Sequence, residues 1–299
     1  MGIILSTDNL TKKYGIKTAA DHVNIHVREG EIYGLIGRNG AGKTTIMRMI
    51  SGLSNPTEGS YTISEGASTG IGVLIENPGV YPKRTAFDNI KIKCIAMNCY
   101  SKEYVDGLLE LVGLANTGKA KVKSFSLGMR QRLGIALALT GDPKLIVLDE
   151  PINGLDPQGI AEVRATLEKL RDEKGITIMV SSHILDELGK IADSFGIINE
   201  GTLIDEFTKE ELMRRCGKYI SIKTDQNEKA IEAIRKMGVD KVVQDGDRIR
   251  IDGSIERVAE INRTLVTEGF AVSEIRTCNI SLEDYYFSLT GGARDHEAD

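Results

Sequence analysis

Residues Gly37-Arg38-Asn39-Gly40-Ala41-Gly42-Lys43-Thr44 match the pattern G-x-x-x-x-G-K-[ST] at every fixed position. A loop of this kind wraps the phosphates of a nucleotide, because glycines let successive backbone N–H groups approach closely. Lys43 would reach the terminal phosphates, and the Thr44 hydroxyl would complete a magnesium shell. A second chemical feature is Asp149-Glu150, two carboxylates directly after Leu145-Ile146-Val147-Leu148. Asp149 is expected to hold the magnesium ion, in part through water. Glu150, facing another way, is expected to polarise the water that attacks the γ-phosphate. The third is His183, whose neutral imidazole could bond the γ-phosphate or that water. Solvated charges at a strand end, and a structural histidine, are the bland alternatives; the P-loop weighs against both.

Specific elements must carry these groups. Glu31-Ile32-Tyr33-Gly34-Leu35-Ile36 reads as a short strand entering the loop, and Thr45-Ile46-Met47-Arg48-Met49-Ile50 as the helix leaving it. The four apolar residues before Asp149 suit a central parallel strand buried on both faces. Functional groups collect at the carboxyl ends of such strands. Pro151 stops that strand and Ile152 to Pro157 turns. Asp156-Pro157 then opens a helix with an apolar stripe of Ile160, Val163, Leu167 and Leu170, ended by Gly175. Thr177-Ile178-Met179-Val180 is a further buried strand, leading through Ser181-Ser182 to His183.

This order of motifs resembles the ATP-binding cassette family over about residues 3–210. The family signature, ordinarily Leu-Ser-Gly-Gly-Gln, stands here as Phe125-Ser126-Leu127-Gly128-Met129, with departures at Leu127 and Met129. The resemblance implies a P-loop NTPase α/β core carrying an inserted helical subdomain. It also implies that Ser126, Leu127, Gly128 and Met129 open a helix facing the γ-phosphate held by another subunit. Tyr14 matches the aromatic that stacks on adenine, and with Gly37, Arg38, Asn39, Gly40, Ala41, Gly42, Lys43, Thr44 and Thr45 makes up the implied ATP site. Lys43, Glu150 and His183 would be catalytic, and Thr44, Asp149 and Glu76 would hold Mg2+. Glu76 stands where the family usually has glutamine. With the altered signature it resembles the bacitracin- and lantibiotic-type branch of exporters. The implied partners are a second ATPase subunit, identical or different, and separate transmembrane permease subunits. The implied location is the cytoplasmic face of a membrane.

Composition agrees with these expectations. The 299 residues exceed a typical single domain, and a net charge of −5 gives no electrostatic case for nucleic acid. No apolar run approaches the ~18–20 residues of a membrane-spanning helix, nor is there a long apolar N-terminal core. A cytoplasmic protein is expected. Cys94, Cys99, Cys216 and Cys278 form no C-x-x-C pair and read as reduced thiols. His22 and His26 have metal-like spacing, but Val23, Ile25 and Val27 alternate with them, predicting one strand with both histidines on its solvent face.

The ATP-binding domain is expected over 1–210, its helical subdomain over about 83–142. There Ile90, Ile95, Leu108, Leu109, Leu111 and Leu114 are expected to pack inward, and Asp142-Pro143 to end the signature helix. Thr208 would cap a charged connecting helix. Residues 218–290 read as a small accessory α+β domain of β-α-β-β-α-β, ferredoxin-like order. A short helix follows with Leu282, Tyr285, Tyr286 and Leu289, and 291–299 would be a frayed tail. Two other functions are weighed: a soluble cassette ATPase acting on ribosomes or DNA, and a nucleotide-binding regulatory module without turnover. A single P-loop and the lack of sustained heptads oppose the first; Glu150 and His183 oppose the second.

Overall fold

A computed structural model describes residues 2–64, 70–216, 218–279 and 281–291. Of the expected tail, 291–299, residues 292–299 lie outside them. The chain divides into two units, 1–209 and 210–299.

The first unit is built on a six-stranded sheet. Its strands are β4 (Ile32–Ile36), β6 (Ile71–Leu74), β7 (Leu145–Leu148), β8 (Thr177–Ser182), β9 (Ser194–Asn199) and β10 (Thr202–Thr208), in spatial order β10-β9-β4-β8-β7-β6. All neighbours are parallel except the β9–β10 hairpin. Every residue of β4, β7 and β8 is buried, which is why β4, β7 and the 178–180 stretch of β8 are apolar runs rather than alternations. Each such aliphatic side chain withdrawn from water stabilises the fold by roughly 1.5–3 kcal/mol.

Beside this lies a four-stranded antiparallel sheet in which β1 (Ile3–Tyr14) pairs with β2 (Lys17–Val23), β3 (His26–Arg28) and β5 (Glu58–Ile63). The single strand expected across His22 to Val27 is therefore two. His22 takes a left-handed φ of 48°, and the Asn24 side chain bonds Asn9 N and His22 O. The chain thus changes register on β1 between the pairs Leu10↔Val23 and Ser6↔His26. Burial still alternates across the break. His22 Nδ1 lies 2.6 Å from Asp21 Oδ1 and His26 Nδ1 lies 2.9 Å from Glu206 Oε2, so the two histidines have separate carboxylate partners.

Helix α1 (Lys43–Ile50) follows β4. Helices α2 (Ala86–Ala96), α3 (Lys102–Leu111) and α4 (Leu127–Leu139) form the helical insertion between β6 and β7. Ile90, Leu108, Leu109 and Leu114 are buried there, but Ile95 is 57% exposed and Leu111 only half-buried. The inward face of α2 runs instead through Ala86, Asn89, Ile90 and Cys94, a helical spacing that leaves Ile95 outside. Helix α4 ends at Leu139, before Asp142, which itself has φ 54°. Helix α5 (Pro157–Lys174) has Asp156 as N-cap, accepting from Gly159 N at 3.0 Å, and left-handed Gly175 at its end. Helix α6 (Leu185–Ile191) joins β8 to β9, and α7 (Lys209–Cys216) follows β10.

The second unit runs β11 (Lys218–Thr224), α8 (Asn227–Lys236), β12 (Val242–Asp245), β13 (Arg248–Asp252), α9 (Val258–Thr267) and β14 (Val272–Asn279), with sheet order β12-β13-β11-β14. Ile220, Ile222, Ile249 and Ile251 face Ile231, Ile234, Ile261 and Leu265 in a second core. In α10 (Leu282–Thr290), Leu282 and Tyr286 are buried while Leu289 is exposed.

Candidate nucleotide site

The P-loop joins the carboxyl end of β4 to the first turn of α1. Gly42, the residue before α1, has φ 112°, and a Cβ there would stand 2.4 Å from Ala19 O. No side chain fits this position. The contact also sets the β1–β2 hairpin, which carries Tyr14, against the loop. Beside Ala19, Gly201 N donates to Ala41 O at 2.8 Å, so the turn between β9 and β10 also supports the loop. Arg38, Asn39 and Gly40 are exposed, Ala41 is buried, and Thr45 is half-buried on α1.

Lys43 is only 5% exposed. Its ammonium donates to Gly37 O at 2.6 Å and lies 3.1 Å from Glu150 Oε1. The second contact is an ion pair without the alignment of a hydrogen bond. His183 Nδ1 stands 2.8 Å from Glu150 Oε2. Glu150 therefore lies between a P-loop cation and the imidazole that follows β8, one carboxylate oxygen toward each. Its own φ is 50°, a left-handed conformation rare for a side chain of this size.

Asp149 is 4% exposed. Thr44 Oγ1 donates to Asp149 Oδ2 at 2.7 Å, and Ser181 Oγ donates to Asp149 Oδ1 at 2.6 Å. Hydroxyl and carboxylate oxygens are hard ligands suited to Mg2+, which keeps several waters and substrate oxygens in its shell. No cluster of three or more His, Cys, Asp or Glu side chains that could hold a metal ion occurs among the described residues. Glu76, in contrast, is half in solvent and paired with Arg48 of α1.

Ser126 is the N-cap of α4, its hydroxyl accepting from Met129 N at 3.2 Å. Exposed Leu127 packs against the turn at Gly154, and buried Gly128 faces Leu155 and Gly159. The signature thus leans on the loop 153–156 of its own chain. Tyr14, half exposed, ends β1 with the Lys12 ammonium 5.3 Å from its ring centre. Sequence reading missed Ser181. Its signal was a serine directly after the apolar stretch of a buried central strand, since a buried hydroxyl needs a partner.

Phosphate loop, acidic strand end and following histidine, all at the carboxyl edge of a parallel sheet, define a P-loop nucleotide hydrolase. Comparison places it more closely. The ABC transporter family profile matches residues 20–153. Bacitracin transport ATP-binding protein BcrA of Enterococcus faecalis is 42% identical over 303 residues, covering 98% of each chain. Lantibiotic transport ATP-binding protein SrtF of Streptococcus pyogenes is 47% identical over 209 residues, covering 68% of this chain and 90% of its own. A solved dimeric bacterial ABC transporter cassette superposes with a TM-score of 0.60 at 25% identity, over 69% of this chain and 98% of that one. The chain belongs to the ABC transporter family, as an ATP-hydrolysing subunit.

Proposed function

We propose that this subunit powers export of a peptide antibiotic through separate transmembrane permease subunits, working at the cytoplasmic face as one of two paired ATPase subunits. The reading is carried by one observation: Lys43, Thr44, Asp149, Glu150 and His183, from three separate segments, converge at one edge of the sheet. The names of the bacitracin and lantibiotic relatives support the substrate class. No helix among the described residues is long and apolar enough to cross a membrane, and in this proposal separate chains supply the permease. Residues 1–210 form the ATP-binding domain in this proposal, with the helical part at about 83–142 meeting the permease and 218–290 as an accessory domain.

The geometry supports the following proposed roles. Backbone N–H groups of Gly37 to Thr45 and the Lys43 ammonium hold the triphosphate, and Tyr14 stacks on adenine. Thr44, Asp149 and Glu76 would hold Mg2+, which would supply charge neutralisation at the γ-phosphate. Glu150 orients the attacking water and accepts its proton, while His183 keeps that carboxylate in place and stabilises developing charge. Ser126, Leu127, Gly128 and Met129 present the N-terminus of α4 to the partner's γ-phosphate, where unpaired N–H groups favour an anion.

Glu150→Gln tests the scheme. It keeps the shape of the side chain but removes the proton acceptor, so the variant should retain ATP and run as a dimer on gel filtration with ATP and magnesium. A monomer at high protein concentration, or unchanged hydrolysis, would refute it.

A further inference from the structure

Ser181 lies on β8, is fully buried, and touches both acidic residues of the site. Its hydroxyl donates its one proton to Asp149 Oδ1 at 2.6 Å and accepts from Glu150 N at 2.9 Å. Asp149 is consequently held at both oxygens by hydroxyls from two elements, Thr44 of α1 and Ser181 of β8. Either hydroxyl alone would leave the carboxylate free to turn about its terminal bond; the pair does not. Glu150 carries its left-handed backbone immediately after Asp149, and such a conformation persists only where its surroundings hold it. The Ser181 oxygen is the acceptor that holds its amide. Neighbouring Ser182 bonds only locally, accepting from Ile184 N at 2.9 Å, consistent with adjacent strand residues facing opposite ways.

We propose that Ser181 is a positioning residue for hydrolysis: one buried hydroxyl orients the Asp149 carboxylate toward the metal and fixes the backbone from which Glu150 reaches the attacking water. This rests on the roles given above to Asp149 and Glu150. Removing the hydroxyl leaves a buried carboxylate oxygen without its donor and a buried amide without its acceptor. Partners standing behind a metal ligand in this way typically affect metal affinity or activity about 10- to 100-fold.

The test compares Ser181→Thr with Ser181→Val in the full chain, two side chains of one shape that differ in the hydroxyl. Mn2+ binding in the presence of ADP, followed by electron paramagnetic resonance, reads the metal site without turnover. The Val variant should need about 10- to 100-fold more Mn2+ than the Thr variant, and its kcat should fall. ADP affinity in EDTA should be equal in both, since the P-loop is untouched. If either variant misfolds, Ser181→Ala against the parent gives the same comparison. Equal Mn2+ affinity and equal kcat with and without the hydroxyl overturn the proposal. A separate variant, Asp149→Asn, tells the two readings apart: full activity there removes the site assignment itself, whereas its inactivity beside indistinguishable Thr and Val variants removes only the role of Ser181.

Discussion

Ser126→Asp separates what Ser126 does for its own chain from what it does for a partner. Within the chain it caps α4, in extended conformation (φ −61°, ψ 167°), accepting from Met129 N at 3.2 Å. Aspartate caps about as well as serine, and its charge at a helix N-terminus adds about 0.3–1 kcal/mol. The isolated variant should therefore match the parent or exceed it by up to about 1 kcal/mol in urea unfolding. The paired state should respond oppositely. A carboxylate about 4 Å from one phosphate charge, at an effective dielectric of about 20, is repelled by about 4 kcal/mol. That corresponds to roughly a thousandfold loss of ATP-dependent association for each of the two contacts in the dimer.

The assay is sedimentation of Ser126→Asp in the Glu150→Gln background with ATP and magnesium, beside steady-state hydrolysis of the single variant. Ser126→Asn is the control, being an equal cap without charge. The Asp variant should stay monomeric and hydrolyse little, while the Asn variant keeps most of both. Should the two behave alike while stability is retained, the N-terminus of α4 does not meet a phosphate, and the paired-site reasoning fails.

Two further outcomes are expected. Lys43→Ala removes the ammonium from Gly37 O and Glu150 and should abolish nucleotide binding or turnover; unchanged ATPase activity would remove the P-loop assignment. Glu31 has its carboxyl raised above the ordinary value by burial, opposed by the hydrogen bond from Arg28 N. Folded chains therefore keep a proton that unfolded chains release, so this group's contribution to stability is greatest below pH 4.5 and declines as pH rises toward the folded value. Urea midpoints of the parent minus those of Glu31→Gln should fall across that window, and a difference that rises with pH would contradict the burial argument.

Much of the site was legible because its signals are local. The P-loop pattern, the apolar run before Asp149 and the Asp156-Pro157 helix start each need only neighbouring residues, and each forms as read. Ile95 was misread as inward-facing because apolar recurrence alone does not say which side of α2 meets the core. The break in the strand at His22 was missed because it depends on side-chain bonds from Asn24 to Asn9, a distant stretch of β1. The same limit hid the ion pair between Arg48 and Glu76.

What the amino-acid order determined by itself was the inventory: phosphate loop, two carboxylates, one histidine, a signature-like segment and the elements that bear them. Periodicity, caps and turn residues act over a few positions, so they survive in one dimension. Only the folded sheet decided which groups face one another. Thr44 finds Asp149, Lys43 finds Glu150 and Ser181 bridges both acids, because β4, β7 and β8 lie side by side with their carboxyl ends together. Strand adjacency is a global result of burying apolar faces, and no local pattern encodes it.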